Sequence, residues 1–438
     1  MKTARKYKIC VVGAGHVGLV AAACFSKLGH KVVCVDNDRN KIQMLKEMSM
    51  PFHEPGLEAL VKRGLKRENL NFLFSLTEGI RSSEVIFIAV GTPPKKDGSA
   101  DLSSVENVAY TAAKNLNSYK LVVGKSTVPV QTGKRIQEII ENNKDNGLKF
   151  DVASNPEFLR EGKAIYDFFY PDRIVLGVES KKAENILKGI YSLVKAPFVV
   201  TDINTAELIK HASNSFLATK ISFINAVSRV CDLAGADIEK VSKAMGMDRR
   251  IGSAFLQAGI GYGGFCFPKD IEAFAYISKK LGYEFGLLRE VRNINQGQVV
   301  YFLRKIKGKL GSLKNKRAAV LGLSFKPGTD DMRFAPAVKI VEALSQEGVN
   351  LSLYDPKSMG KSKKVLKGIK RVKFFKSPYA AVAGADCVCF LTEWDEFRKL
   401  DLRKIKKIMK HPFIADGRNM LDKKKVLAAG FEYFGIGR

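Results

Sequence analysis

The sequence predicts an α/β protein built as two Rossmann-like, doubly wound lobes joined by a long central helix and a helical region. Three observations carry this. Short β-branched apolar runs alternate with helix-period stretches from residue 8 to about residue 200, and again beyond residue 313. Between them, residues 201–309 show helical periodicity and no strand signal. At 438 residues the chain is also too long for one ordinary domain. The expected segments are 1–200, 201–309 and 310–438.

Taken in order, "KYKICVVGAGHVGLVAAACFSKLGHKVVCVDND" reads as strand, glycine turn, helix, strand. Gly13, Gly15 and Gly18 form G-x-G-x-x-G, preceded by an apolar run and followed by small residues at helical spacing. Asp36 closes the next strand about twenty residues on, which makes this a dinucleotide fingerprint in its proper setting. Gly13 permits the tight turn, Gly15 admits a pyrophosphate against the backbone, and Gly18 lets helix and strand pack closely. A carboxylate at Asp36 bonds ribose hydroxyls and repels a 2′-phosphate, so the expected cofactor is NAD and not NADP. "SEVIFIAVGTPP", "KLVVGKSTVPVQTG" and "LKFDVASNPEFLREG" follow as strand–loop units. They place Thr92, Thr127 and the 155–162 loop at the carboxyl ends of strands, where open α/β sheets bind ligands.

The stretch "TAELIKHASNSFLATKISFINAVSRVCDLAGADIEKVSKAMG" is expected to be a long helix followed by shorter ones. Lys210 and Asn214 are four apart and share a face, with Glu207 nearby. A cation beside an amide can hold an alkoxide or an oxyanion, but two exposed polar residues would have the same spacing. In "GIGYGGFCFPKDIEAF", Pro268 fits the first turn of a helix that runs to Gly282, so Cys266 falls just before a helix N-terminus. The helix dipole and nearby lysines favour a thiolate there. These residues alone leave open whether Cys266 is a nucleophile or a packed thiol. Glu157 and Glu161, on a loop at a strand end, are candidate bases toward water. Beyond residue 313, "KNKRAAVLGLSFKPGTDDMRFAP", "ADCVCFLT" and "FIADGRNML" supply a second α/β lobe lacking G-x-G-x-x-G.

Composition excludes several classes. The seven cysteines are scattered without a C-x-x-C pair, so neither a metal site nor a disulfide framework is expected. No apolar run is long enough to cross a bilayer, so no membrane insertion is expected. The basic opening "MKTARKYK" resembles a leader, but the apolar run after it is the glycine turn itself, and the expected compartment is the cytoplasm. The net charge of +29 gathers in runs such as "KSKKVLKGIKRVKFFK". Such runs attract anions, nucleic acid included, yet more often solvate a surface, and no nucleic-acid-binding motif accompanies them.

Ordered stretches across nearly the whole chain resemble the nucleotide-sugar 6-dehydrogenase family: "GAGHVGLV", "PFHEPGLEAL", "VGTPP", "KSTVPVQTG", "NPEFLREG", "ELIKHASNSFLATKISFINAV", "MGMDRRIGSAFLQAGIGYGGFCFPKD", "GLSFKPGTDDMRFAP" and "DGR". The resemblance implies a four-electron oxidation using two NAD in turn, through a thiohemiacetal and a thioester on Cys266. It implies that Lys210 and Asn214 stabilise the oxyanions, that Asp270 with Lys210 handles the alcohol proton, and that Glu157 is the base for hydrolysis, with Thr127 placing water or cofactor. Cofactor contacts implied are Gly13, Gly15, Gly18, Asp36, Lys41, Thr92, Thr127, Glu161 and Arg333. Substrate contacts implied are Glu157, Phe158, Leu159, Glu161, Lys210, Asn214, Phe255, Tyr262, Gly263, Phe325, Lys326 and Arg418, and Arg250 would reach a neighbouring subunit's sugar site in a homodimer or larger assembly.

"CFPKD" and "SFKPGTDDMR" look closer to the family's UDP-glucose branch than to its GDP-mannose branch, where Leu commonly follows the cysteine. GDP-mannose and other UDP-hexoses remain alternatives. So, more distantly, do a single-step hydroxyacid oxidiser and a basic nucleic-acid- or surface-binding protein on a dehydrogenase scaffold. Two departures stand out: Phe265, where a small residue is usual, and Gln131, where Gly is usual.

Overall fold

A computed structural model describes residues 5–438; the first four, part of the basic opening stretch considered above, lie outside the described residues. Two compact units emerge. One holds the residues up to Ser213 together with Glu272–Tyr283, and the other holds Asn214–Ile271 with Glu284–Arg438.

The first unit is built on eight strands: β1 (Lys8–Val12), β2 (Lys31–Val35), β3 (Leu70–Leu73), β4 (Val85–Ile88), β5 (Lys120–Gly124), β6 (Phe150–Ser154), β7 (Ile174–Val178) and β8 (Phe198–Thr201). They lie in the order β3-β2-β1-β4-β5-β6-β7-β8, whose first six strands follow the dinucleotide-binding arrangement. β1 shows why the sequence folds this way. Its Ile9 and Val11 enter the core on one face of the sheet, while Cys10 and Val12 enter the core on the other. A strand apolar on both faces must be covered by helices on both sides, as parallel sheets are. Each such fully buried aliphatic side chain contributes about 1.5–3 kcal/mol. One joint departs from parallel: β7 runs antiparallel to β6. The chain between them forms only the short helix Ala164–Phe169, without a crossover over the sheet, and returns from the same end.

The second unit holds β9 (Arg317–Leu321), β10 (Asn350–Tyr354), β11 (Val372–Phe374), β12 (Cys387–Phe390), β13 (Phe413–Asp416) and β14 (Glu432–Gly435), all parallel, in the order β11-β10-β9-β12-β13-β14. β9 repeats the logic of β1, with Ala318 and Val320 in one core and Ala319 and Leu321 in the other.

The expected long helix is Ile203–Ala234, 32 residues without Gly or Pro, and Gly235 follows it at φ +68°. Ile238–Met247, Cys266–Lys280 and Gly286–Leu310 are further helices. The region expected to be helical is interrupted over residues 248–265, where Gly261 and Gly264 hold positive φ. The helix Cys266–Lys280 begins two residues ahead of the Pro268 start expected from sequence. Pro268 still falls within the first turn, where a missing N–H costs no intrahelical bond.

Candidate active site

The glycine turn joins β1 to the helix His16–Lys27 as the spacing predicts. Gly13 holds φ +104°, and a Cβ on Gly18 would lie 1.8 Å from the Gly13 carbonyl oxygen, so a side chain there would break the helix–strand contact. Around Gly15 a Cβ would meet nothing within 4 Å, which leaves room for a ligand against the backbone. No side chain caps this helix, so its first N–H groups are left for phosphate oxygens. At the end of β2, Asp36 Oδ2 accepts from Ala14 N (2.7 Å) and pairs with Lys41 Nζ (2.9 Å). Thr92 Oγ1 donates to the Thr127 carbonyl (2.9 Å) and so ties together the loops that follow β4 and β5. This cradle, with a carboxylate at the end of β2, fits NAD.

Glu54, not singled out from sequence although "PFHEPGLEAL" contains it, links this turn to the 155–162 loop. Its carboxylate contacts His16 Nε2 (2.8 Å) and accepts from Gly162 N (2.6 Å) and Ala164 N (2.9 Å).

Also in the first unit, Glu157 Oε1 lies 3.0 Å from Lys210 Nζ, and both side chains are almost wholly buried. Glu157 Oε2 accepts from Leu159 N (2.5 Å). The Phe158 ring lies beneath two cations, Arg173 at 4.0 Å and Lys210 at 5.3 Å. A buried ion pair of this kind adds little net stability, while losing one partner would cost about 3–5 kcal/mol. Glu161 is half-buried on the same loop.

In the second unit, Asn214 Nδ2 donates to Asp270 Oδ2 at 2.6 Å, and Lys269 Nζ pairs with Asp270 Oδ1 at 2.7 Å. Lys269 was not assigned a role from sequence. Four residues before Asp270, Cys266 opens its helix. Of the seven cysteines it alone is partly accessible; the other six are buried. Burial pushes the Cys10 thiol up to about 12 and those of Cys24 and Cys34 higher still, so these are unreactive.

Arg333 stacks over the Phe265 ring at 4.4 Å and is held in a forked pair with Asp331. Gly264 N donates to the Arg333 carbonyl (2.9 Å), and a Cβ on Gly264 would lie 2.8 Å from the Phe325 ring. A Cβ on Gly263 would strike the Phe334 carbonyl oxygen at 2.5 Å. Arg418, largely buried, donates to the carbonyls of Gly261 (2.8 Å), Leu391 (2.9 Å) and Phe325 (3.2 Å), which makes it a brace for these loops. Asn295 holds Tyr262 through both its backbone groups, and Tyr262 and Phe255 pack near Phe267. Lys326 Nζ lies 5.3 Å from the Phe325 ring. Arg250 stands apart, with an exposed side chain paired with Asp248 at 2.6 Å.

Three family models match successive stretches of the chain. Models of the UDP-glucose/GDP-mannose dehydrogenase family match it at residues 7–195 (NAD binding domain), 204–297 (central domain) and 319–423 (UDP binding domain). The chain is 44% identical over 431 residues to UDP-glucose 6-dehydrogenase TuaD of Bacillus subtilis (strain 168), covering 98% of this chain and 93% of the relative. A UDP-glucose dehydrogenase from the hyperthermophilic archaeon Pyrobaculum islandicum superposes with a TM-score of 0.93 at 37% identity, covering 100% and 99% of the two chains. A UDP-D-ManNAc dehydrogenase from Pyrococcus horikoshii gives 0.86 at 30% identity, covering 98% and 99%.

Proposed function

The chain belongs to the UDP-glucose/GDP-mannose dehydrogenase family, and on that premise we propose that it oxidises UDP-glucose to UDP-glucuronate with NAD, through a covalent cycle on Cys266. The observation that carries the covalent reading is the partly accessible Cys266 at a helix head, one turn from an Asp270 bonded to Asn214.

The glycine turn would hold two NAD molecules in succession, and each would supply the acceptor for one hydride from the sugar carbon, in two steps. In the first, the C6 hydroxyl loses its proton to the Asp270–Lys210 group through water, and the carbonyl forms as the hydride leaves. Lys210 and Asn214, one turn apart on their helix, stabilise the oxygen while it carries negative charge. The Cys266 thiolate then adds to the aldehyde, and the oxygen of the resulting thiohemiacetal takes up one proton. Loss of the second hydride and of that proton leaves a thioester. Water, deprotonated by Glu157, adds to its carbonyl; the C–S bond breaks and Cys266 departs as thiolate. Thr127 places the water or the cofactor, and Glu161 lies near both the nicotinamide and the sugar.

Gly13, Gly15, Gly18, Asp36, Lys41, Thr92 and Arg333 hold the cofactor. Phe158, Leu159, Phe255, Tyr262, Gly263, Phe325, Lys326 and Arg418 hold the nucleotide sugar. Residues 1–200, 201–309 and 310–438 serve in turn as NAD-binding, catalytic-helix and UDP-sugar segments. The enzyme works in the cytoplasm as a homodimer or larger assembly. Its lysine surplus is a solvated surface and not a nucleic-acid site.

The test is a count of NADH per sugar across a panel of nucleotide sugars. Two NADH with UDP-glucose are expected; one would reduce the protein to a single-step alcohol oxidiser. Cys266→Ser should lower uronate formation by roughly a thousandfold or more. Full turnover by that variant would end the covalent reading.

A further inference from the structure

One buried cation in the first unit has no part in the chemistry above. Lys125 follows β5 directly and is 4% exposed. Its Nζ lies 3.0 Å from Asn155 Oδ1, 3.4 Å from the Asn155 carbonyl and 3.3 Å from the Tyr191 hydroxyl. These are neutral acceptors, an unusual setting for an ammonium, since burying a charge without direct pairing is expensive.

Every polar group of Asn155 is engaged. Its N–H donates to the Gly124 carbonyl (2.8 Å), its Nδ2 to the Val175 carbonyl (2.9 Å), and its Oδ1 also accepts from Tyr191 (2.6 Å). Asn155 is the first residue after β6, and Glu157 follows two residues later, so a clamp on Asn155 sets where the Glu157 carboxylate begins. The charged and titratable groups that act on Lys125 are Glu157 on this loop, Lys210 on the long helix, Cys24 on the helix after the glycine turn, and Tyr191. Burial is the main influence on the lysine and lowers it to about 8; Glu157 opposes that lowering, and Lys210 adds to it.

We infer that Lys125 is a positioning residue for thioester hydrolysis: its ammonium locks Asn155, and with it the strand-end turn that aims Glu157 beside Lys210. The inference rests on the role of Glu157 proposed above. The charge contributes beyond the hydrogen bonds, because a second cation near Glu157 supports a carboxylate already paired with Lys210. A neutral amine would keep donors but lose that support.

The test is a quenched-turnover experiment on the full chain with UDP-glucose and NAD, measuring the covalent adduct on Cys266 by mass spectrometry beside steady-state rates. In Lys125→Met and Lys125→Gln, hydrolysis should slow by roughly tenfold or more, so the thioester becomes the main enzyme form and kcat and apparent KM fall together while kcat/KM stays within about twofold. The wild-type advantage should shrink as pH rises through about 8, where Lys125 loses its proton. Tyr191→Phe removes one donor to Asn155 and no charge. It should slow hydrolysis by a smaller factor with no change in pH dependence, and it serves as the test if the lysine variants do not fold.

Activity lost without thioester accumulation, or a wild-type rate of hydrolysis, overturns the inference. If the wild type itself yields one NADH, or no Cys266 adduct, the proposed mechanism falls first. If the wild type yields two NADH and the Lys125 variants match it, only this inference falls.

Discussion

Asp36 is the side chain that ties the glycine turn to the end of β2. Its Oδ2 accepts from Ala14 N inside the glycine turn and pairs with Lys41, and the proposed function gives the same carboxylate the ribose. Hydrogen bonds to a charged group contribute about 1.5–3 kcal/mol, so Asp36→Ala should raise KM for NAD by roughly ten- to a hundredfold. It should also leave Lys41 free to accept a 2′-phosphate, making NADP turnover measurable in a direct comparison of the two cofactors. An unchanged NAD/NADP ratio would show that Asp36 does not read the ribose. This residue was legible in the sequence because its distance from the glycines is itself the signal. Lys125 and Lys269 were not. Nothing in "VVGKSTV" or "FPKDI" marks a lysine as buried, because burial depends on what other segments bring against it.

The long helix Ile203–Ala234 does more than carry Lys210 and Asn214. Its first turns also hold the segment between β5 and the helix Thr132–Asn143. Glu207 Oε1 accepts from Gly133 N (2.8 Å), and His211 Nε2 contacts the Val128 carbonyl (2.8 Å). Gln131, at φ +76°, occupies a left-handed position at that helix start that a glycine would fill without strain. Burial is the main reason Glu207 rises to about 8, with the backbone N–H groups of 131–133 opposing it. Because its folded-state value lies above the ordinary one of 4.5, the fold keeps the associated stability below pH 4.5 and loses it as pH climbs to about 8. Glu207→Gln keeps the acceptor oxygen and does not titrate. Its Tm should therefore gain on the wild type by about 3 °C or more between pH 5 and pH 9, as read from parallel melts. A constant Tm difference would show that Glu207 stays ionised throughout. Among elements, strands such as β1, β4, β5, β9 and β12 were readable because both their faces are apolar. The short edge strands β3, β8, β11 and β14 were not singled out, since strand character at an edge depends on a neighbour as much as on composition. The antiparallel β6–β7 joint was equally invisible, because strand direction is set by the path of the connection.

At the scale of the molecule, the surface of the long helix is the feature that composition conceals. Its outward-facing side chains include Leu208, Phe216, Phe223, Val230 and Leu233, with Phe216 65%, Phe223 51% and Val230 62% exposed at seven-residue spacing. A ridge of this kind is poorly suited to water and well suited to a second helix, and symmetric pairing of identical chains is the commonest way to cover one. Arg250, exposed and paired with Asp248, fits the role of reaching a neighbour's site. Two predictions can be joined in one experiment. Phe216→Glu/Phe223→Glu should reduce the particle measured by light scattering to a single 48.4 kDa chain. Cys266→Ser and Arg250→Ala subunits, each nearly inactive alone, should regain activity when co-expressed. In a mixed pair the Arg250→Ala chain keeps its cysteine and receives an arginine from its partner. Random pairing in equal amounts leaves about a quarter of all sites complete, so activity should return to about a quarter of wild type. No recovery, with mixed pairs verified by mass, would mean that Arg250 acts within its own chain or not at all. Recovery that persists in the double glutamate variant would place the subunit contact on some other surface.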